Sequence, residues 1–270
     1  MVGLADGRVL MDREPETGIA RITIDNPERR NSYSAAMRGQ LAAFLDQLAD
    51  DDDIKVVLLR GAGGCFSAGA DMRSAYAWYG EGTSRAQDGA RPRRPSQRRR
   101  LAVDRRAFAF YHDFLGYPKA TVAQVQGVAL GGGLELALMA DIAVVARTTL
   151  LGMPATRFLG PALGSLHLFF HRLGPVLARR LLLTGDCITA DRLEHLGVFT
   201  EVVDDGDTAK RAEWWAQKIS RMPADGIAIA KAAFRLVEQL QAYQGEEVTG
   251  YLIHAYGTNL RFEDGEFNFV

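Results

Sequence analysis

Val56-Val57-Leu58-Leu59-Arg60-Gly61-Ala62-Gly63-Gly64-Cys65-Phe66-Ser67-Ala68-Gly69-Ala70-Asp71 passes directly from an apolar run into a glycine-rich one. Consecutive apolar residues closed by Arg60-Gly61 read as a strand buried on both faces, as in a parallel sheet. Upstream, residues 19–24 alternate Arg21 and Thr23 with Ile22 and Ile24, which is a strand period. Between the two strands Ser34 stands as an N-cap, followed by Met37, Leu41, Phe44, Leu45 and Leu48 on one helical face. Strand, helix and buried strand make the alternation of a layered α/β domain. It recurs at Ala120–Val125, at residues 134–139 and at Ile142–Ala146. After Asp204 only helical spacing remains, through Trp214, Trp215 and Ile219 and then from Ile227 to Leu240. The expected division is an α/β core over residues 1–205 and a helical region over 206–270.

The totals narrow the class of partner. Lys+Arg number 32 against 33 Asp+Glu, and 47% of residues are hydrophobic. Such a chain has the core of a globular protein, and its net charge of -1 is too small to draw it to nucleic acid or a membrane surface. Cys65 and Cys187 build neither a disulfide framework nor a zinc spacing. The start, MVGLADGRVLMDREPETG, carries charges where a signal peptide is apolar. No stretch approaches the ~20 uninterrupted apolar residues of a membrane span. The expectation is a cytoplasmic protein with neither a membrane nor a nucleic-acid partner.

Two charged segments stand apart. The acidic residues 50–53 read as a solvated loop. Residues 80–106 carry Arg91, Arg93, Arg94, Arg98, Arg99, Arg100, Arg105 and Arg106, with Pro92 and Pro95 blocking any earlier helix start. They suit a surface loop running into a basic helix face, or a contact for a phosphate-rich ligand. Nucleic acid is disfavoured because Phe108, Phe110 and Tyr111 follow the arginines instead of interleaving with them.

A second glycine-rich stretch, Gly127-Val128-Ala129-Leu130-Gly131-Gly132-Gly133-Leu134-Glu135, also follows an apolar strand. Neither stretch is a dinucleotide loop: Gly61 and Gly63 begin G-x-G-x-x-G, but Phe66 takes the third glycine position. Neither ends in Gly-Lys-Ser/Thr, which excludes a P-loop. Glycine in such turns lets backbone N–H groups face a cavity with no Cβ in the way. At a helix N-terminus those donors are unpaired and the dipole favours negative charge. Two of them aimed at one point make an oxyanion hole.

Phe66-Ser67-Ala68-Gly69-Ala70-Asp71-Met72 and Gly127-Val128-Ala129-Leu130-Gly131-Gly132-Gly133-Leu134-Glu135-Leu136-Ala137 resemble the two signatures of the enoyl-CoA hydratase/isomerase (crotonase) family. Asn26-Pro27-Glu28-Arg29-Arg30-Asn31-Ser32, Asp141-Ile142 and Leu183-Thr184-Gly185-Asp186-Cys187-Ile188-Thr189-Ala190 extend the likeness in order, from about residue 19 to 231. The resemblance implies a crotonase-like α/β spiral of ββα units, with residues 80–106 as an arginine-rich insertion. It also implies a helical C-terminal oligomerisation region and assembly as a homotrimer or a dimer of trimers. The implied partner is an acyl-CoA thioester. Coenzyme A is then part of the substrate, and neither a separate cofactor nor a metal is expected.

By motif position the oxyanion donors fall on the N–H groups of Ala70 and Gly132, and Glu135 falls on a catalytic carboxylate. Ala68, Ala70, Asp71, Met72, Arg73, Arg30, Gly131 and Gly132 are the implied lining of the acyl-CoA path, with Arg73 meeting a phosphate. Asp71 and Asp141 read first as ties for loop backbone.

One position departs from the family. Its hydratases carry a second glutamate after a Gly-x-Pro element, which here reads Gly152-Met153-Pro154-Ala155. The following Gly160-Pro161-Ala162-Leu163-Gly164 is shorter than its family counterpart, and Arg261-Phe262-Glu263-Asp264-Gly265-Glu266 resembles the start of the family's last helix. Adding water to a conjugated thioester needs a base for the water and an acid for the α-carbon, and losing either costs ~10²–10⁴-fold in rate. Thr156, Arg157 and His167 are the auxiliary candidates nearby. His167 reads first as a core or surface histidine, and Arg157, always charged, suits a substrate carboxylate. Hydratase is the family's default activity, while isomerisation, decarboxylation or thioester hydrolysis asks less of the missing acid. Ala155 also admits a non-catalytic acyl-CoA-binding or assembly protein. A scaffold whose arginines hold an acidic partner is the third alternative.

Overall fold

The computed structural model describes residues 7–71, 97–157 and 166–238, without the side chains of residues 97–100 and 156. In chain order the strands are β1 (Arg8–Glu14), β2 (Ile19–Asp25), β3 (Val56–Gly61), β4 (Ala120–Val125), β5 (Val128–Leu130), β6 (Ile142–Ala146), β7 (Leu150–Gly152), β8 (Cys187–Thr189) and β9 (Glu201–Val203). The helices are α1 (Ala35–Ala49), α2 (Gln97–Leu115), α3 (Gly132–Met139), α4 (Leu166–Thr184), α5 (Thr208–Ser220) and α6 (Ala224–Glu238). Within α4, Gly174 adopts φ 72° immediately before Pro175. A left-handed residue followed by proline breaks the helix into two there.

The main sheet runs β1-β2-β3-β4-β6-β9, antiparallel between β1 and β2 and parallel throughout the rest. Its inner strands are apolar on both faces because both faces are covered. Val57 and Leu59 of β3, with Ala123 and Val125 of β4, join the large core that includes Met37, Leu41, Phe114 and Leu134. Their neighbours Val56, Leu58, Ala120 and Val122 point the other way, onto Ala212 and Ala216 of α5. The two-residue period of a strand makes that partition.

A smaller sheet, β5-β7-β8, pairs β5 with β7 in parallel and β7 with β8 antiparallel. The chain passes from β4 in the first sheet to β5 in the second and then into α3. It repeats the move from β6 to β7, followed by a 3-10 turn (Pro154–Arg157). These are the ββα units that the resemblance implies.

α1 has the amphipathic face read from its sequence: Met37, Leu41, Leu45 and Leu48 are buried, and the Ser34 side chain accepts from the Met37 N–H at 3.2 Å. Ser34→Ala is expected to destabilise the protein by about 1 kcal/mol, measured as a lower urea midpoint, because it strands a first-turn donor.

In the acidic run Asp50, Asp52 and Asp53 are exposed, as the sequence suggests, and only Asp51 is half-buried. Asp51 pairs with Arg13, and its carbonyl accepts from Lys119, so β1 and the start of β4 are both tied to it. On α2, Arg105 and Arg106 are exposed, whereas Phe108, Phe110, Tyr111 and Phe114 are core residues. The aromatic rings that follow the arginines are therefore buried in the core.

Beyond Val203 the described chain is helical through α5 and α6. Met72, Arg73, most of the arginine-rich segment, residues 160–164, and Leu240 with the Arg261–Glu266 match lie outside the described residues.

Candidate active site

The first glycine-rich stretch is laid down by a buried asparagine. Asn31 donates from Nδ2 to the carbonyls of Ala62 (2.8 Å) and Cys65 (2.5 Å), and its Oδ1 accepts from the Asn26 N–H. Asn31 itself sits at φ 54°, next to Arg30 at φ 51°. This bend is thus left-handed at two successive non-glycine residues, an uncommon conformation for either. The Arg30 carbonyl accepts from the Ala68 N–H at 2.8 Å, while the Arg30 side chain is exposed.

From Ser67 the chain is extended and bridged on both sides. Ser67 pairs with Ala129 of β5, and Ala70 pairs with Tyr33. In the second bridge the Tyr33 N–H donates to Gly69 O and the Asp71 N–H to Tyr33 O, both at 2.9 Å. The Gly69–Ala70 peptide has thus committed its carbonyl to Tyr33. Being trans, it aims its N–H the opposite way. That N–H has no hydrogen-bonded acceptor among the described residues. The alternation of an extended chain gives that N–H its direction.

The second donor does come from a helix start. Gly131, at φ 53°, is the N-cap of α3 and donates its own N–H to Gly152 O at 2.9 Å. Gly132 is the first residue of α3, and its N–H likewise has no acceptor among the described residues, as helix geometry dictates. The two stretches meet closely. A Cβ on Gly69 would lie 2.6 Å from Leu130 O and 2.8 Å from Gly132 N, and the residue sits at φ 85°. Only glycine admits this approach. Ala70 and Gly132 are brought to one locus.

Glu135 follows one turn along α3, on the same face as Gly132. It is 2% exposed, and its N–H donates to Gly131 O. A carboxylate in the first turn is favoured by the helix dipole. Ala155, at the start of the next ββα connection, is 8% exposed and packs in the apolar core.

The remaining candidates are spread over four places. Asp71 forms an ion pair with Arg29 at 2.9 Å. Arg157 reaches the end of α4, donating from Nε to Thr184 O at 3.1 Å with Asp186 at 3.7 Å. His167 stands 3.8 Å from Glu238 of α6, and the imidazole beside it holds that carboxyl below its ordinary range. Asp141 accepts from the Thr121 N–H and hydroxyl and from Lys231 of α6, tying β4, β6 and α6 together. A cavity of about 430 Å³ opens beside Met139, Asp141 and Lys231, at the far end of α3 from Gly132. It does not include Ala70, Gly132 or Glu135.

Sequence reasoning passed over two residues at the Gly132 locus. Tyr33 and Tyr111 are 78 positions apart, yet their hydroxyls lie 2.6 Å from each other. A Cβ on Gly132 would fall 2.1 Å from both oxygens. The available signal was the position of Tyr33, directly after the Asn26–Ser32 motif.

The family model described as enoyl-CoA hydratase/isomerase matches residues 14–270. The chain is 32% identical over 224 residues to 1,2-epoxyphenylacetyl-CoA isomerase of Escherichia coli (strain K12), covering 83% of this chain and 80% of that protein. It is 30% identical over 256 residues to enoyl-CoA hydratase domain-containing protein 2, mitochondrial, of Homo sapiens, covering 93% and 81%. An enoyl-CoA hydratase/isomerase structure from Xanthobacter autotrophicus Py2 aligns with TM-score 0.80 at 26% identity, covering 94% of this chain and 90% of that one. The fold is the crotonase-like α/β spiral expected from the motifs.

Proposed function

The chain belongs to the enoyl-CoA hydratase/isomerase family, and from that premise we propose that it is an enzyme that stabilises the enolate of a bound acyl-CoA thioester. The thioester oxygen lies between the N–H groups of Ala70 and Gly132, and Glu135 is the catalytic carboxylate. The observation that carries this reading is the close approach of the two glycine-rich stretches, each with a backbone donor left over. Fixed donors at the developing oxyanion act without reorganising during the reaction. Coenzyme A enters with the substrate, and no further cofactor takes part.

Ala155 favours a reaction completed by one carboxylate. In double-bond isomerisation Glu135 removes a proton from the α- or γ-carbon, the electron pair passes onto the thioester oxygen, and the same carboxyl returns the proton to the other carbon. Hydration asks for an additional group to activate water. The exposed Ile229, Phe234, Leu236 and Val237 of α6 support assembly as a homotrimer or dimer of trimers. The proposed setting is the cytoplasm.

The test is a panel of acyl-CoA thioesters, beginning with crotonyl-CoA and its β,γ-unsaturated isomer, assayed for turnover and for binding by calorimetry. Interconversion of the two isomers is expected, with hydration slower. Ala155 also motivates a second reading, an acyl-CoA-binding protein without turnover. Micromolar affinity with no reaction across the panel selects it.

A further inference from the structure

The Tyr33–Tyr111 pair is a buried polar arrangement that the chemistry above leaves unused. Tyr33 arrives through its bridge to Ala70, and Tyr111 comes from α2. Their side chains are 2% and 3% exposed, and both oxygens abut the Cα of Gly132. Two hydroxyls bring two hydrogens, and their mutual bond uses one. Neither oxygen has another hydrogen-bond partner among the described residues. One phenolic hydrogen is therefore left over beside Gly132, in surroundings where unsatisfied donors are rare. Burial pushes both phenols above their ordinary range and the nearby Glu135 charge acts in the same direction, so that hydrogen is present at neutral pH.

Resting on the acyl-CoA reading, we propose that the Tyr33–Tyr111 pair supplies a third hydrogen-bond donor to the thioester oxygen at the Ala70–Gly132 locus. The pair acts as a unit. Whichever hydroxyl donates to the other polarises it, making the second a stronger donor to the ligand. Glycine at 132 then has two functions: it opens the helix start, and it leaves room for two phenolic oxygens that any Cβ would displace. The donor is neutral, so it adds to the two N–H groups without competing with Glu135 for a proton.

Tyr33→Phe and Tyr111→Phe keep the rings and remove one oxygen each. The direct readout is the carbonyl stretch of bound butyryl-CoA carrying ¹³C at C1, taken by difference infrared spectroscopy, beside butyryl-CoA affinity and the thermal midpoint. With butyryl-CoA still bound and the midpoint held, loss of the terminal donor is expected to return the stretch part-way to its value in water. Turnover falls about 10²-fold, with KM little changed, as for loss of one oxyanion donor. An unchanged stretch in both variants, with ligand bound, overturns the inference and leaves the acyl-CoA reading standing. If the wild-type protein binds no butyryl-CoA, the acyl-CoA reading falls first and this inference with it. Should either variant unfold, wild-type protein grown with 3-fluorotyrosine decides instead: its more acidic phenols lower the stretch further if the pair donates, and an unmoved stretch overturns the proposal.

Discussion

Glu135→Gln is expected to lower turnover of the best acyl-CoA substrate by ~10²–10⁴-fold, the range for loss of a positioned acid or base. Glutamine keeps the shape of the side chain and its hydrogen-bonding oxygen but cannot carry the proton. The two backbone donors proposed for the thioester oxygen are independent of that carboxyl: the Ala70 N–H belongs to an extended segment and the Gly132 N–H to a helix start. Affinity for a saturated acyl-CoA should therefore be unchanged while kcat collapses. Pre-steady-state assays beside isothermal titration separate the two quantities. A variant that turns over at the wild-type rate would remove Glu135 from the mechanism, whatever the fate of the oxyanion site. A variant that loses affinity and rate together would instead mean that the helix start had been disturbed, and circular dichroism would register it.

The largest effect on stability should come from Asp141→Ala. Lys231 is 6% exposed, and its Nζ lies 2.6 and 2.8 Å from the two Asp141 oxygens. Removing the carboxylate leaves a buried ammonium unpaired and also strips the Thr121 N–H and hydroxyl of their acceptor. Breaking one side of such a pair costs about 3–5 kcal/mol, or roughly 10 °C in the thermal midpoint for a chain of this size. Adding Lys231→Met on that background removes the stranded charge and places an apolar chain beside Ile227, Phe234 and Met139. The double variant should recover much of the loss, because an apolar replacement of a buried ion pair is often neutral. Unfolding in urea, followed by tryptophan fluorescence, measures both. A single variant as stable as wild type would show that α6 is held to the sheet by apolar contact alone.

What could be read along the chain was whatever is made by neighbours along the chain. Strand β3 was legible because a sheet covered on both faces needs unbroken apolar sequence, and α1 because its cap and its stripe lie within one helix. The two glycine-rich stretches were legible for the same reason. Left-handed backbone at Gly69 and Gly131 is a local requirement, and Ala155 announces a missing carboxylate by its place in a motif. The origin of the Ala70 donor was not. Its N–H is unpaired because Tyr33 claims the opposite side of the same peptide, which depends on a bridge between Tyr33 and Ala70, residues far apart along the chain.

The partners of the auxiliary candidates were hidden from the sequence for the same cause. Arg157 and His167 sit close to Ala155 along the chain, yet their partners, Thr184 with Asp186 and Glu238, come from far along it. The 78-residue separation of Tyr33 and Tyr111 is of that kind. Backbone direction is settled by φ and ψ, which a few adjoining residues control; the partner of a buried polar side chain is settled by which elements pack together. The residues alone thus established the family, the spiral and the glycine-rich cradle. Packing decided what stands beside that cradle: a buried carboxylate and two phenols sharing one hydrogen bond.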